Sequence, residues 1–276
     1  MARSNAAYFS FGGVDTRNYQ IIVDSSDTLA KPTRDVERLV VPGRSGSLTV
    51  DNGRFNDVSV TYHCHVKRGF DSNFNGFLAA LHALGGERKL VDGRLETYYA
   101  GTYNGVTSPG CYRKAVLDES VQPANIFAGC FGDFDITFTC KPQIWLNAGD
   151  VAIEVVQGTS KRIYNPTKFP SIPLLQLYGK GTGTSESTLA KFTVSGDGTT
   201  ETATIGVNVN SPYSYLYVDC DMEDAYNGSA NCNQYINAIS DGKFPRCGAS
   251  ASGFLASVAS PNSGARMLIY PRWWTI

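Results

Sequence analysis

The chain has 276 residues, is 42% hydrophobic and 18% charged, and carries a formal net charge of −1. It is long enough to bury one large core or two ordinary ones, and its charge balance excludes a bulk electrostatic pull toward nucleic acid or membrane. Seven scattered cysteines with no CxxC pair fit free thiols from a cytoplasm better than a disulfide scaffold.

No long apolar run of a signal peptide stands at Met1-Ala-Arg-Ser-Asn, and no window is apolar enough for a membrane helix. Aromatic residues, 28 Gly and 12 Pro favour short strands joined by turns. Tyr8–Val14 and Asn18–Val23 read as the first two strands. Lys31–Val66 then reads as strand, glycine-rich loop Pro42-Gly43-Arg44-Ser45-Gly46, strand, tight turn and long strand. The tight turn is placed at Asp51-Asn52-Gly53-Arg54, because Asn-Gly tolerates positive φ. In the last segment Val58, Val60, Tyr62, Cys64 and Val66 alternate with Ser59, Thr61, His63 and His65, the period-2 signature of a sheet with one buried face.

The period then changes. Phe70, Phe74, Phe77, Leu78, Leu81 and Leu84 form one stripe of an amphipathic helix, with Asp71 or Ser72 to cap it and Gly85-Gly86 to stop it. Strands resume at Arg88–Val91, Glu96–Tyr99, Cys111–Leu117 (after a turn at Asn104-Gly105) and Asp133–Cys140. A domain boundary falls around residues 141–148, giving domains 1–144 and 145–276. Beyond it, Val151–Val156, Leu174–Tyr178, Lys191–Val194, Ala203–Val209, Tyr215–Asp219, Phe254–Val258 and Ala265–Tyr270 are short strands with turns between, the pattern of a sandwich.

The ordered set FSFGG, RDVERLVVPGRSGSLTVDNGRFNDVSVTYHC, FDITFTCKPQIWL, NPTKFPSIPLLQLYGKGTG, YLYVDCDMEDAYNG and PRWWTI resembles distal tail proteins of siphophages. That resemblance implies a mainly β fold: an N-terminal tail-tube-like β-barrel or sandwich domain with one α-helix, then a C-terminal galectin-like β-sandwich. It implies no enzyme and no cofactor, but a hexameric ring that joins the tail tube to the tip protein. Its expected partners are further copies of the chain, a tail-tube protein, a tip or tail-associated lysin protein and a receptor-binding protein. DNA is expected only as cargo passing through the lumen, and the expected location is the virion, after assembly in the bacterial cytoplasm.

Lys31, Arg34, Arg38, Pro42, Gly43, Arg44 and Gly46, with Asp35, Glu37 and Asp51 among them, are the candidate contacts between subunits. His63 and His65 share a strand face as metal ligands do, yet lack a third ligand, so a solvated face is the expectation. Asp219, Asp221 and Glu223 alternate as calcium ligands can, but a solvated strand end is favoured there too. Gly179-Lys180-Gly181-Thr182-Gly183 lacks the GxxxxGK[ST] of a phosphate loop. Of Trp273 and Trp274, one is expected in the core and the other outward, against a sugar, the other domain or a neighbouring subunit. A carbohydrate-binding module is the alternative reading; a cell-wall hydrolase has no motif behind it.

Overall fold

The computed structural model describes residues 7–85, 93–98, 102–103, 106–107, 110–117, 121–127, 130–178, 189–195, 202–208, 213–238, 244–249, 253–260 and 264–276. Its described residues are mainly β with one α-helix, and the chain divides into two compact units: Met1–Ile144 with Ile276, and Trp145–Thr275. The expected strand at Arg88–Val91, the turn at Asn104-Gly105 and the glycine run 179–183 lie outside the described residues.

In the first unit the strands are β1 (Tyr8–Phe11), β2 (Val14–Asp15), β3 (Ile21–Ser26), β4 (Arg34–Val40), β5 (Ser47–Phe55) and β6 (Val58–Val66). Helix α1 (Phe70–Gly85) follows, then β7 (Gly93–Tyr98), β8 (Thr102–Tyr103), β9 (Val106–Thr107), β10 (Cys111–Val116), β11 (Gln122–Phe127) and β12 (Phe131–Cys140). The main sheet runs β2-β1-β7-β10-β12-β6-β3, with β11 also on β12. Strand β6 lies next to the edge strand β3, paired along nine residues to β12 and along its second half to β3. Its alternation therefore has the expected result: Val58, Val60, Tyr62, Cys64 and Val66 are buried, and the residues between them are partly or fully exposed.

Helix α1 lays Phe70, Phe74, Phe77 and Leu81 on that buried face. Rings from four elements meet there. Phe9 stacks on Tyr62 at 4.3 Å and meets Phe77 and Phe138 edge-on at 6.0 and 5.6 Å. Tyr62 hydroxyl shares a 2.6 Å hydrogen bond with Thr97 Oγ1, so the largest buried ring leaves no polar atom unmet. Asp71 and Ser72 lie inside the first helical turn instead of capping it, and Ser72 Oγ donates to Gly69 O.

Two local readings change. Thr16–Tyr19 is a 3₁₀ turn, and the second strand starts only at Ile21. Asp51-Asn52-Gly53-Arg54 is not a hairpin turn but the interior of β5, where the register slips between Arg34 and Val36 of β4. Gly53 takes φ +74° and its N–H donates to Asp51 Oδ1 at 2.9 Å. The positive φ that Asn-Gly supplies serves a bulge here. The reversal is made by the Val41–Gly46 loop, where Arg44 N–H donates to Val41 O.

The second unit contains β13 (Ile144–Leu146) from Trp145 onward, β14 (Ile153–Val156), β15 (Ser160–Ile163), β16 (Leu174–Tyr178), β17 (Leu189–Ser195) and β18 (Thr202–Asn208). It continues with β19 (Leu216–Asp219), β20 (Asp224–Asn227), β21 (Ala230–Asn231), β22 (Ile236–Ala238), β23 (Phe254–Ala259), β24 (Arg266–Tyr270) and β25 (Trp274–Thr275). One sheet has the order β14-β24-β16-β19-β20-β21 and the other β15-β23-β17-β18-β22. Leu175, Leu177, Val218, Met267 and Ile269 from the first sheet share one core with Ile163, Ile205, Phe254 and Val258 from the second, which makes this unit a β-sandwich. Trp273 enters the same core, 6.2 Å from Phe254.

Replacing Phe138, fully buried under Phe9, Phe11 and Tyr62, removes a ring that the fixed sheet cannot collapse around. Phe138→Ala is expected to lower the stability of the first unit by about 3–5 kcal/mol in urea unfolding. A loss below about 1 kcal/mol would mean that this cluster does not hold the unit together.

Candidate functional site

Strands β4 and β5 pair only with each other, as a separate two-stranded sheet, among the described residues. The root of this hairpin is fixed. Arg113, 5% exposed on β10, donates from Nη2 to Ala30 O at 2.9 Å and Thr28 O at 3.4 Å. At the other root, Asn56 N–H donates to Thr33 O, and Asn56 Nδ2 donates to Thr33 Oγ1.

Beyond the root, apolar side chains stand in solvent on both faces. Register pairs Leu39 with Leu48 and Glu37 with Val50, which puts Leu39, Leu48 and Val50 on one face. Val36, opposite Asp51, and Val40, opposite Ser47, point the other way. All five are exposed, Val40 to 83%. A lone hairpin is marginal in water, and its free edges invite another strand. This ribbon has neither a third strand nor a covered face among the described residues.

Arg34, Asp35 and Asp51, three of the seven charges expected at subunit contacts, are paired within the ribbon. Arg34 lies 3.5 Å from Asp51 and over the Phe55 ring at 4.8 Å. Arg54 donates to Asp35 at 2.6 Å, and hydrogen bonds from Arg54 and Asn52 hold the Asp35 carboxyl below its usual range. Lys31 Nζ donates to Ile276 O at 2.7 Å. Arg38, opposite Thr49, and the loop residues Pro42, Gly43, Arg44 and Gly46 are exposed at the free end, with Gly43 and Gly46 at φ +79° and +83°. The apolar residues at this ribbon were not among those singled out from the sequence. Their signal was the run of apolar side chains at 36, 39, 40 and 41, which does not fit a strand with one buried face.

His63, His65 and Asp219, among the residues considered as metal ligands, each have protein partners. His63 Nδ1 is 2.7 Å from Asp135, and His65 Nδ1 is 2.7 Å from Asp24, on the outer face of the main sheet. Asp219, 5% exposed, receives both Arg272 nitrogens at 2.9 and 2.8 Å and the N–H groups of Asp221 and Met222. Burial pushes the Asp219 carboxyl up, but the Arg272 bonds and charge, with those two amides, outweigh it and hold it below the usual range. Asp219 is thus one half of a bidentate clamp, while Asp221 and Glu223 are exposed. No group of three potential metal ligands occurs among the described residues.

Trp274 stacks on Phe169 at 4.6 Å and its indole N–H donates to Pro170 O at 3.1 Å. It braces Phe169 and Pro170, and Trp273 is core. All seven cysteines are free thiols, and burial pushes those of Cys64, Cys220 and Cys247 up and that of Cys140 up to about 12.

Because the folded pKa of Asp219 is depressed, its contribution is present above its unfolded value of about 3.9 and is lost as pH falls through the folded one. Urea midpoints of the second unit are therefore expected to drop below about pH 4. Asp219→Ala should cost about 3 kcal/mol at neutral pH by leaving Arg272 unpaired, and should flatten that acid limb. An unchanged acid limb would show that the clamp does not couple to folding.

No family model and no curated protein matches the chain. Solved structures do. The Dit protein (gp 19.1) of SPP1, described as a paradigm of the hub adsorption apparatus in phages infecting Gram-positive bacteria, superposes with a TM-score of 0.62 at 11% identity, over 95% of this chain and 97% of that one. A chain of the phage p2 baseplate in its activated conformation with Sr matches at TM-score 0.53, with the same identity and coverage. At 11% identity the likeness is one of fold, and it extends across both units. The chain has the fold of a Dit-like distal tail protein.

Proposed function

We propose that this protein is a non-enzymatic structural subunit of a phage tail tip, which closes into a hexameric ring between the tail tube and the tip protein. The lumen of that ring leaves a path for DNA, and its outer parts carry the tip or tail-associated lysin protein and the receptor-binding protein. In this reading the protein assembles in the bacterial cytoplasm and ends in the virion.

The observation that carries the reading is the β4–β5 ribbon. Its root is fixed by Arg113 and Asn56, and its blade offers apolar residues on both faces and, among the described residues, strand edges with no partner on either side. A contact made by such a projection on a different surface of the next copy is heterologous, and heterologous contacts close into rings when the rotation permits. The ion pairs Arg34–Asp51 and Arg54–Asp35 then stiffen the ribbon and set its register, a role that suits exposed pairs better than direct stabilisation. The fold likeness to a hub protein and to a baseplate supports the same reading.

Val40→Lys and Leu48→Lys alter residues that are exposed in the single chain, so each should leave its circular dichroism unchanged and its stability within about 0.5 kcal/mol. Both should reduce the hexamer mass seen by light scattering to that of a monomer. Shortening Val41–Gly46 to a two-residue turn should do the same. Hexamers that persist in all three variants would refute the role assigned to the ribbon.

A further inference from the structure

The outer face of the six-stranded sheet carries a different surface. Side chains opposite to the core alternate along each strand, and the register sets them in rows across the sheet. One row runs Leu268, Gln176, Tyr217, Tyr226; the next runs Val156, Arg266, Tyr178, with Tyr215 beside it. Tyr178 and Tyr215 lie 5.5 Å apart, Tyr215 and Tyr217 5.6 Å, and Tyr217 and Tyr226 5.5 Å. Four rings from three strands and the residue before one of them thus make a continuous band, each partly exposed.

The polar groups beside the band are arranged as pairs. Arg266 lies over the Tyr178 ring at 4.4 Å and donates to Glu154 at 3.1 Å. Both line an open cleft of about 390 Å³ with Val156, Gln157, Gly264 and Ala265. Gln176, 6% exposed between Leu268 and Tyr217, accepts from Tyr270 hydroxyl at 3.4 Å, and its amide nitrogen has no partner among the described residues. Asp219 and Arg272 cancel one another at the far side.

We infer that this tyrosine band and the Arg266–Glu154 cleft form a binding face for a neutral polysaccharide. A pyranose has an apolar C–H face and a rim of hydroxyls, and the band offers the matching pair: tyrosine rings for the first, and Arg266, Glu154 and Gln176 for the second. Charge selects against the other polymers. Among the described residues each guanidinium on the face, Arg266 and Arg272, already has its own carboxylate, which disfavours phosphate, teichoic acid and nucleic acid as ligands. Exposure selects against a protein partner. The four tyrosines are packed on one another and only partly exposed, and they are interleaved with Glu154, Arg266 and Gln176, whereas the centre of a protein interface is depleted of charged residues. Rings held in place before binding lose little entropy on contact, which suits a weak ligand repeated along a polymer. The inference is independent of the ring: the band lies in the second unit and the ribbon in the first.

The test uses the full chain with maltohexaose, cellohexaose and a β-linked galactotetraose as probes, and polyglycerol phosphate as the charged comparison. Titration calorimetry and saturation-transfer NMR are expected to show saturable binding of at least one neutral probe, with transfer to its ring C–H protons. Tyr217→Ala and Tyr178→Ala should each weaken that binding about tenfold, with circular dichroism and hexamer mass unchanged, while Tyr217→Phe should keep it within about twofold. Absence of binding to all three neutral probes at millimolar concentration would overturn the inference. Binding that survives both alanine variants, or binding of polyglycerol phosphate alone, would overturn it equally.

Discussion

Everything in the first unit depends on how Phe9, Tyr62, Phe77 and Phe138 pack. These rings come from β1, β6, α1 and β12, so one cluster ties the first strand, the central strands and the helix together. It also decides which face of the sheet is wet. With Tyr62 inward, Thr61, His63 and His65 must point out, and their partners Thr137, Asp135 and Asp24 are outward residues of β12 and β3. The ribbon stands immediately before β6 in the chain, with its root held by Arg113 and Asn56.

The second unit divides its labour similarly. Its inner faces bury aliphatic residues around Phe254 and Trp273, and the Asp219–Arg272 clamp closes one end. The outer face of its six-stranded sheet is then free to carry tyrosines, whose hydroxyls tolerate water where leucines would invite aggregation. The two units thus expose different chemistries. An aliphatic ribbon suits a permanent contact with a copy of the same chain, and an aromatic, charge-paired face suits a polar ligand met repeatedly.

Elements with a strong period were legible in the sequence. β6 buries the residues its alternation nominates, and α1 buries Phe70, Phe74, Phe77 and Leu81 of its stripe with Leu78 and Leu84 partly buried beside them, because in both a single face meets a single core. Asn52-Gly53 was misread because positive φ at glycine serves a bulge as well as a turn, and only the pairing partner decides between them. The ribbon's exposure was illegible for a related reason: whether Val40 or Leu48 is covered depends on what lies across the sheet and not on its neighbours in sequence. Trp273 and Trp274 were legible as one inward and one outward residue, but not the use of Trp274 to brace Phe169 and Pro170. The tyrosine band left no local trace, since residues 178, 215, 217 and 226 meet only through the order of β16, β19 and β20.

The central claim is that the ribbon reaches a second copy of this chain. A photo-crosslinking residue placed at position 40, the most exposed of its apolar positions, tests this in the assembled state. The account predicts a ladder of covalent species that stops at the hexamer, with every cross-link joining position 40 to a neighbouring copy. Cross-links confined within single chains, or none beyond the monomer in a sample that forms rings, would contradict it.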